Sequence, residues 1–158
     1  LVDDLAVSRC HLLSVEAAAL AQLGEVDCAF GVAWRAFEHF SRLTDGGDVN
    51  FFLFSSYRAL AEAFFACGVA DHSATYRPDR ALQLYDAVAD RLEKLATRFP
   101  AARPALLRNQ ARRAALSGDT AKASSILSRS LHEARRLDMT FDDKLTRRAA
   151  RGLGELRA

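Results

Sequence analysis

Cysteine and proline are scarce in this chain, three of each among 158 residues, and methionine and tryptophan occur once each. Cys10, Cys28 and Cys67 form neither a close pair nor a C-x-x-C, which argues against a disulfide framework or a cysteine metal site. They read as small apolar residues of a reducing compartment, which makes the chain cytoplasmic by default. No apolar run approaches the roughly 18–20 residues that a membrane helix needs, and no signal peptide is visible. Sustained alternation of apolar and polar residues, the mark of a strand, is missing throughout. The histidines His11, His39, His72 and His132 are dispersed, and none stands in an H-E-x-x-H setting. Gly46-Gly47 lacks the rest of a phosphate-cradling frame. With no nucleophile, metal set or cofactor loop to assemble, the chain itself is expected to be non-catalytic, with no cofactor.

What is present in quantity is alanine, leucine and arginine, a helix-forming composition with half of the residues apolar. Seven helices follow from apolar spacing and punctuation: about 4–23, 26–43, 49–67, 79–98, 105–117, 120–137 and 142–156. The three prolines, Pro78, Pro100 and Pro104, stand where the periodicity breaks. Thr44-Asp45-Gly46-Gly47-Asp48 is a turn in which two glycines end one helix and an aspartate caps the next. The third helix carries Phe51, Phe52, Phe54, Tyr57, Phe64 and Phe65 on more than one face, so it is expected at the centre of a core. Asp3-Asp4 and Asp142-Asp143 stand at helix starts, where their charge complements the helix dipole.

A glycine register organises these helices. Gly24, Gly68 and Gly118 each follow a helical stretch, each with alanine seven residues earlier (Ala17, Ala61, Ala111). A bulky residue, Leu13, Tyr57 or Leu107, stands four positions before each alanine. Small beside bulky lets two helices cross closely, and glycine then ends the helix in the left-handed conformation. After Gly24 come Ala29, Ala33 and Ala36, and after Gly118 come Ala123, Leu127 and Ser130 at the same offsets. Ala81, Tyr85 and Val88 fit the same second-helix pattern after an insertion of about eight residues.

These spacings resemble tetratricopeptide repeats. The resemblance implies an all-α, right-handed superhelical array of antiparallel hairpins, with repeats at about 4–43, 49–98 and 105–137 and a terminal helix at 142–156. The glycines lie 44 and 50 residues apart, longer than the standard period of about 34. Longer arrays of this kind resemble the C-terminal helical regions of multidomain signalling ATPases and soluble class III nucleotide cyclases. The segment from Ala134 to Asp143 is similar to a turn of those regions, with Asp138 where glycine is usual. The chain begins at Leu1, and we expect 1–158 to be a single domain taken from a longer protein.

The resemblance implies a groove lined by first helices, with partner-facing positions at Ser14, Ala18 and Ala21, then Arg58, Glu62 and Phe65, then Arg108, Arg112 and Ala115. Small residues in the first set suit a closely packed helix. Arg58, Glu62, Phe65, Arg108 and Arg112 are the candidate partner-binding residues, and Arg108 and Arg112, four apart on one face, suit a carboxylate-bearing segment. Residues 1–100 hold nine basic against fourteen acidic side chains, and residues 101–158 hold thirteen against six. This asymmetry reads as a solvated surface, with an acidic partner as the other reading; the basic residues lack the interleaved aromatics of a nucleic-acid platform. The expected function is a non-catalytic scaffold or regulatory module that holds a protein or peptide segment, without nucleic acid or membrane insertion. The alternatives are the regulatory tail of a nucleotide cyclase or signalling ATPase, and a groove for a peptide or small ligand. Arg147, Arg148, Arg151 and Arg157 mark the last helix as a polar cap over the sixth, or else as a docking segment.

Overall fold

The computed structural model describes residues 4–43, 53–70 and 73–155. Among them are seven α-helices and no strand: α1 (Asp4–Gln22), α2 (Val26–Leu43), α3 (Phe54–Gly68), α4 (Pro78–Arg98), α5 (Arg103–Leu116), α6 (Thr120–Arg136) and α7 (Thr140–Glu155). A short 3-10 turn, Pro100–Ala102, precedes α5. Six of the helices begin and end within two residues of the positions that spacing and punctuation mark out; α3 begins at Phe54, five residues after the expected start at 49. The turn at 44–48, Phe51, Phe52, His72, Leu156 and Arg157 lie outside the described residues.

The chain divides into two compact units, residues 1–95 and 96–158. In the first, α1 packs on α2, α2 on α3, and α1 on α3. In the second, α5, α6 and α7 repeat that three-way pattern.

Three connections share one backbone device. Gly24 and Gly118 adopt φ of 83° and 84°, and Asp138 joins them at 55°. At each, the next residue's N–H donates to a carbonyl five residues back: Glu25 to Leu20, Asp119 to Ala114 and Met139 to Ala134. The left-handed residue's own N–H donates to Ala21, Ala115 and Arg135 respectively. This pair of bonds satisfies carbonyls that a helix end would otherwise leave open. Aspartate tolerates the conformation better than most side chains, so the frame survives without glycine at 138.

Gly68 corrects the sequence expectation. It closes α3 without a positive φ, and its purpose is proximity. A Cβ there would lie 2.5 Å from Leu82 Cδ2 and 2.7 Å from Leu82 Cγ, so the missing side chain lets α4 approach α3.

The cores follow the expected register. Ala17, Ala61 and Ala111 are buried, as are Ala29, Ala33, Ala36, Ala81, Tyr85, Val88, Ala123, Leu127 and Ser130. In the first unit Ala29, Cys67 and Ala81 pack with Leu20, Val26, Phe30 and Tyr76. In the second, Leu107, Ala111, Ile126 and Leu127 pack with Ala149. The aromatic block of α3 is core: Phe64 meets Phe30 and Phe37 edge-on, and Tyr57 lies 4.6 Å from Phe40. Ala61→Leu should overpack this helix and lower stability by about 1–3 kcal/mol in denaturant melts. A melt like that of the parent would show that the alanine register is misplaced at its centre.

Candidate functional site

The residues set out as partner-binding divide between the two units. On α3, Arg58, Glu62 and Phe65 are half-buried. The Arg58 guanidinium lies over the Phe54 ring, and Phe65 packs against Tyr85 at 5.5 Å. Arg112 on α5 is half-buried as well.

Arg108 departs from its expected role. It is 1% exposed and donates to Asp142 Oδ1 at 3.1 Å, forming an ion pair in which Asp142 is fully buried. Thr146 Oγ1 lies 3.5 Å from the same Arg108 nitrogen and donates to the Asp142 carbonyl at 2.8 Å. Ser130 on α6 stands 3.0 Å from Thr146 Oγ1 and donates to the Pro104 carbonyl at 2.8 Å. One polar cluster thus links α5, α6 and α7. Asp142 does stand in the first turn of α7, as expected, but its carboxylate also neutralises a buried cation. Its neighbour Asp143 faces outward and binds Arg135 of α6 and Arg147 of α7 at 3.1 and 2.7 Å. Those two arginines, Arg147 first, hold the Asp143 carboxyl below its ordinary range.

Sequence reasoning missed a second built feature, around Asp27 on α2. Its carboxylate accepts from Ser73 Oγ at 2.7 Å and Thr75 Oγ1 at 2.8 Å, and from the backbone N–H groups of Ala74 and Thr75. Ser73 Oγ in turn accepts from the Tyr76 N–H at 3.0 Å. Tyr76 stacks on Phe30 at 4.2 Å and donates its hydroxyl to the Cys67 carbonyl at the end of α3. Burial, followed by neighbouring Cys67, pushes the Tyr76 phenol above its ordinary range. These contacts pin residues 73–76 of the long connection before α4. Nothing in the sequence joins Asp27 to residues 46 and 48 positions away.

His11 on α1 also gains partners that spacing could not show. Its Nδ1 lies 3.1 Å from Ser55 Oγ and 3.4 Å from Ser56 Oγ, tying the first turn of α3 to α1. Burial pushes the Cys10 and Cys67 thiols up, which reduces their nucleophilic form.

The first-repeat positions read as groove lining are used within the fold. Ser14 is fully buried and donates to the Cys10 carbonyl, while Ala18 and Ala21 are half-buried. The opposite side of α1 is the unexpected one. Leu5 is 77% exposed, Leu12 69%, Val15 47% and Leu23, just past the helix end, 77%. Ala19 is exposed between them. Leu5, Leu12 and Ala19 recur every seven residues, a spacing that was available in the sequence. An exposed apolar row of this kind, interleaved here with Ser8, Arg9, Glu16 and Gln22, marks an interaction site more often than scattered exposed leucines do.

No family model, curated protein or solved structure matches the chain. Among the described residues no helix is long and apolar enough to cross a membrane.

Two outcomes test these assignments. Removing one member of the Arg108–Asp142 pair, as in Arg108→Met or Asp142→Leu, should cost about 3–5 kcal/mol, whereas the double variant should recover much of that loss in denaturant titrations. At Asp27, the hydroxyls of Ser73 and then Thr75 hold the carboxyl below its ordinary 3.8. A depressed folded-state pKa stabilises above the unfolded value and loses that contribution as pH falls through the folded one. Amide exchange at Thr75 and Tyr76 should therefore stay protected from neutral pH down to about 3.8, loosen only as pH falls below that value, and be insensitive to that descent in Asp27→Asn.

Proposed function

We propose that this chain is a non-catalytic helical-repeat module that holds a segment of another protein chain. The observation that supports this reading best is the exposed apolar stripe of α1, Leu5, Leu12, Val15 and Leu23, on a helix whose other side is committed to α2 and α3. Water-facing leucines at this density cost solubility unless a partner covers them. The repeated left-handed turns and the recurring three-helix packing agree with a tetratricopeptide-like, right-handed array, which remains part of the proposal. Arg58, Glu62 and Phe65 on α3 and Arg112 on α5 stay as secondary contacts, because all four keep part of their surface open. Arg108 leaves the set, since its charge is spent on Asp142. Basic side chains on α7, among them exposed Arg148 and Arg151, suit an acidic partner segment.

A regulatory region within a larger signalling protein is the second reading. It draws on one feature: Asp138 takes the left-handed conformation that glycine serves in the turn it resembles.

A photoreactive amino acid placed at Leu12 tests the main proposal in the cell of origin. It should give discrete protein adducts, while the same group at exposed Lys122 should give only background. Equal background at both positions would remove the observation on which the reading stands.

A further inference from the structure

The α1 stripe fits one particular occupant, and the inference rests on the interaction role just proposed. Along the exposed face, Leu5, Leu12 and Ala19 hold one heptad position, and Arg9 and Glu16 share the flank beside it. Arg9 and Glu16 are seven residues apart, about 10 Å along the axis, too far to pair with each other. A second copy laid antiparallel across α1, with the two-fold axis near Leu12, changes that relation. Arg9 then faces Glu16 of the other copy, and symmetry makes the pair twice. In the same register Leu5 stands over Ala19, large against small, and the two Leu12 side chains meet at the centre.

A parallel pairing sets Arg9 toward Asp4 of the neighbour but Glu16 toward His11, which is half-buried and already bonded to Ser55, so only the antiparallel register gives both flank charges an opposite charge. The charge pattern therefore favours a second copy laid antiparallel. We infer that the exposed face of α1 is a self-complementary surface that pairs two copies of this chain, antiparallel and two-fold, through Leu5, Leu12 and Val15 with reciprocal Arg9–Glu16 contacts at its rim. Such rim pairs set orientation more than affinity. A single helix pair buries less than the roughly 1,200–2,000 Å² of a stable interface, so the dimer is an equilibrium species that forms as concentration rises.

Sedimentation equilibrium of the full chain between about 5 and 200 µM tests this, with circular dichroism melts to show that each variant is folded. The parent should shift from one to two chain masses across that range. Leu12→Glu, at an exposed site, should stay at one chain mass with an unchanged melt. Arg9→Glu gives every copy two acids on this flank and Glu16→Arg gives it two bases, so each variant alone should self-associate about tenfold more weakly. Mixed together, those two variants should form a heterodimer, because acids then face bases at both contacts. A parent that stays at one chain mass up to 200 µM, or a Leu12→Glu that still dimerises, overturns the inference. So does a mixture that associates no better than its parts. Failure here leaves the interaction role standing if the photoreactive group at position 12 captures a different protein; absence of adducts as well removes both.

Discussion

Each unit depends on how closely its helices can approach, and alanine sets that distance. Ala17, Ala61 and Ala111 are sealed from solvent, and so is the row Ala29, Ala33 and Ala36 on α2. A side chain of one carbon brings backbones near enough for the flanking large residues to interlock, which is where the apolar contact energy arises. Gly68 takes the same logic one step further, since even a methyl group would collide with Leu82. The tight turns follow from this constraint. Helices that lie so near each other in antiparallel order need short connections, and the left-handed residue with its two backbone bonds supplies them.

The two units settle their polar business differently. In residues 1–95 hydrogen bonds tie a loop down: Asp27 gathers the hydroxyls and amides of residues 73–75, and Tyr76 closes over Phe30 toward the Cys67 carbonyl. In residues 96–158 the polar cluster joins helix to helix, with a guanidinium and a carboxylate inside the packing. Burying that pair is weak evidence for stability, because desolvation offsets most of the attraction. Its effect is on specificity of arrangement: any other seating of α7 strands a charge.

Helices and punctuation were legible in the sequence because they are local. Apolar spacing, the prolines and Gly24 and Gly118 carry that information within a few residues of the structure that they specify. Long-range pairings were not. Arg108 looked like a groove residue since the register identifies a helix face but not what covers it, and its partner stands 34 positions away. Asp27 was invisible for the same reason. Gly68 reads in the sequence as a left-handed cap like Gly24 and Gly118, because glycine meets two different demands and only geometry separates them. The α1 stripe was present as a heptad spacing of Leu5, Leu12 and Ala19, obscured by apolar residues on the helix's inner side as well.

The Arg108–Asp142 pair also bears on how the chain can be shortened. Asp142 is supplied by the last helix, whereas the cation that it neutralises sits two helices earlier, in α5. Cleavage within residues 137–140 would release α7 together with the carboxylate and expose a surface evolved to be dry. The segment that looks most like an appendage, short and rich in arginine, is therefore an integral part of its unit. A protease acting at that turn would not trim the second unit but unravel it.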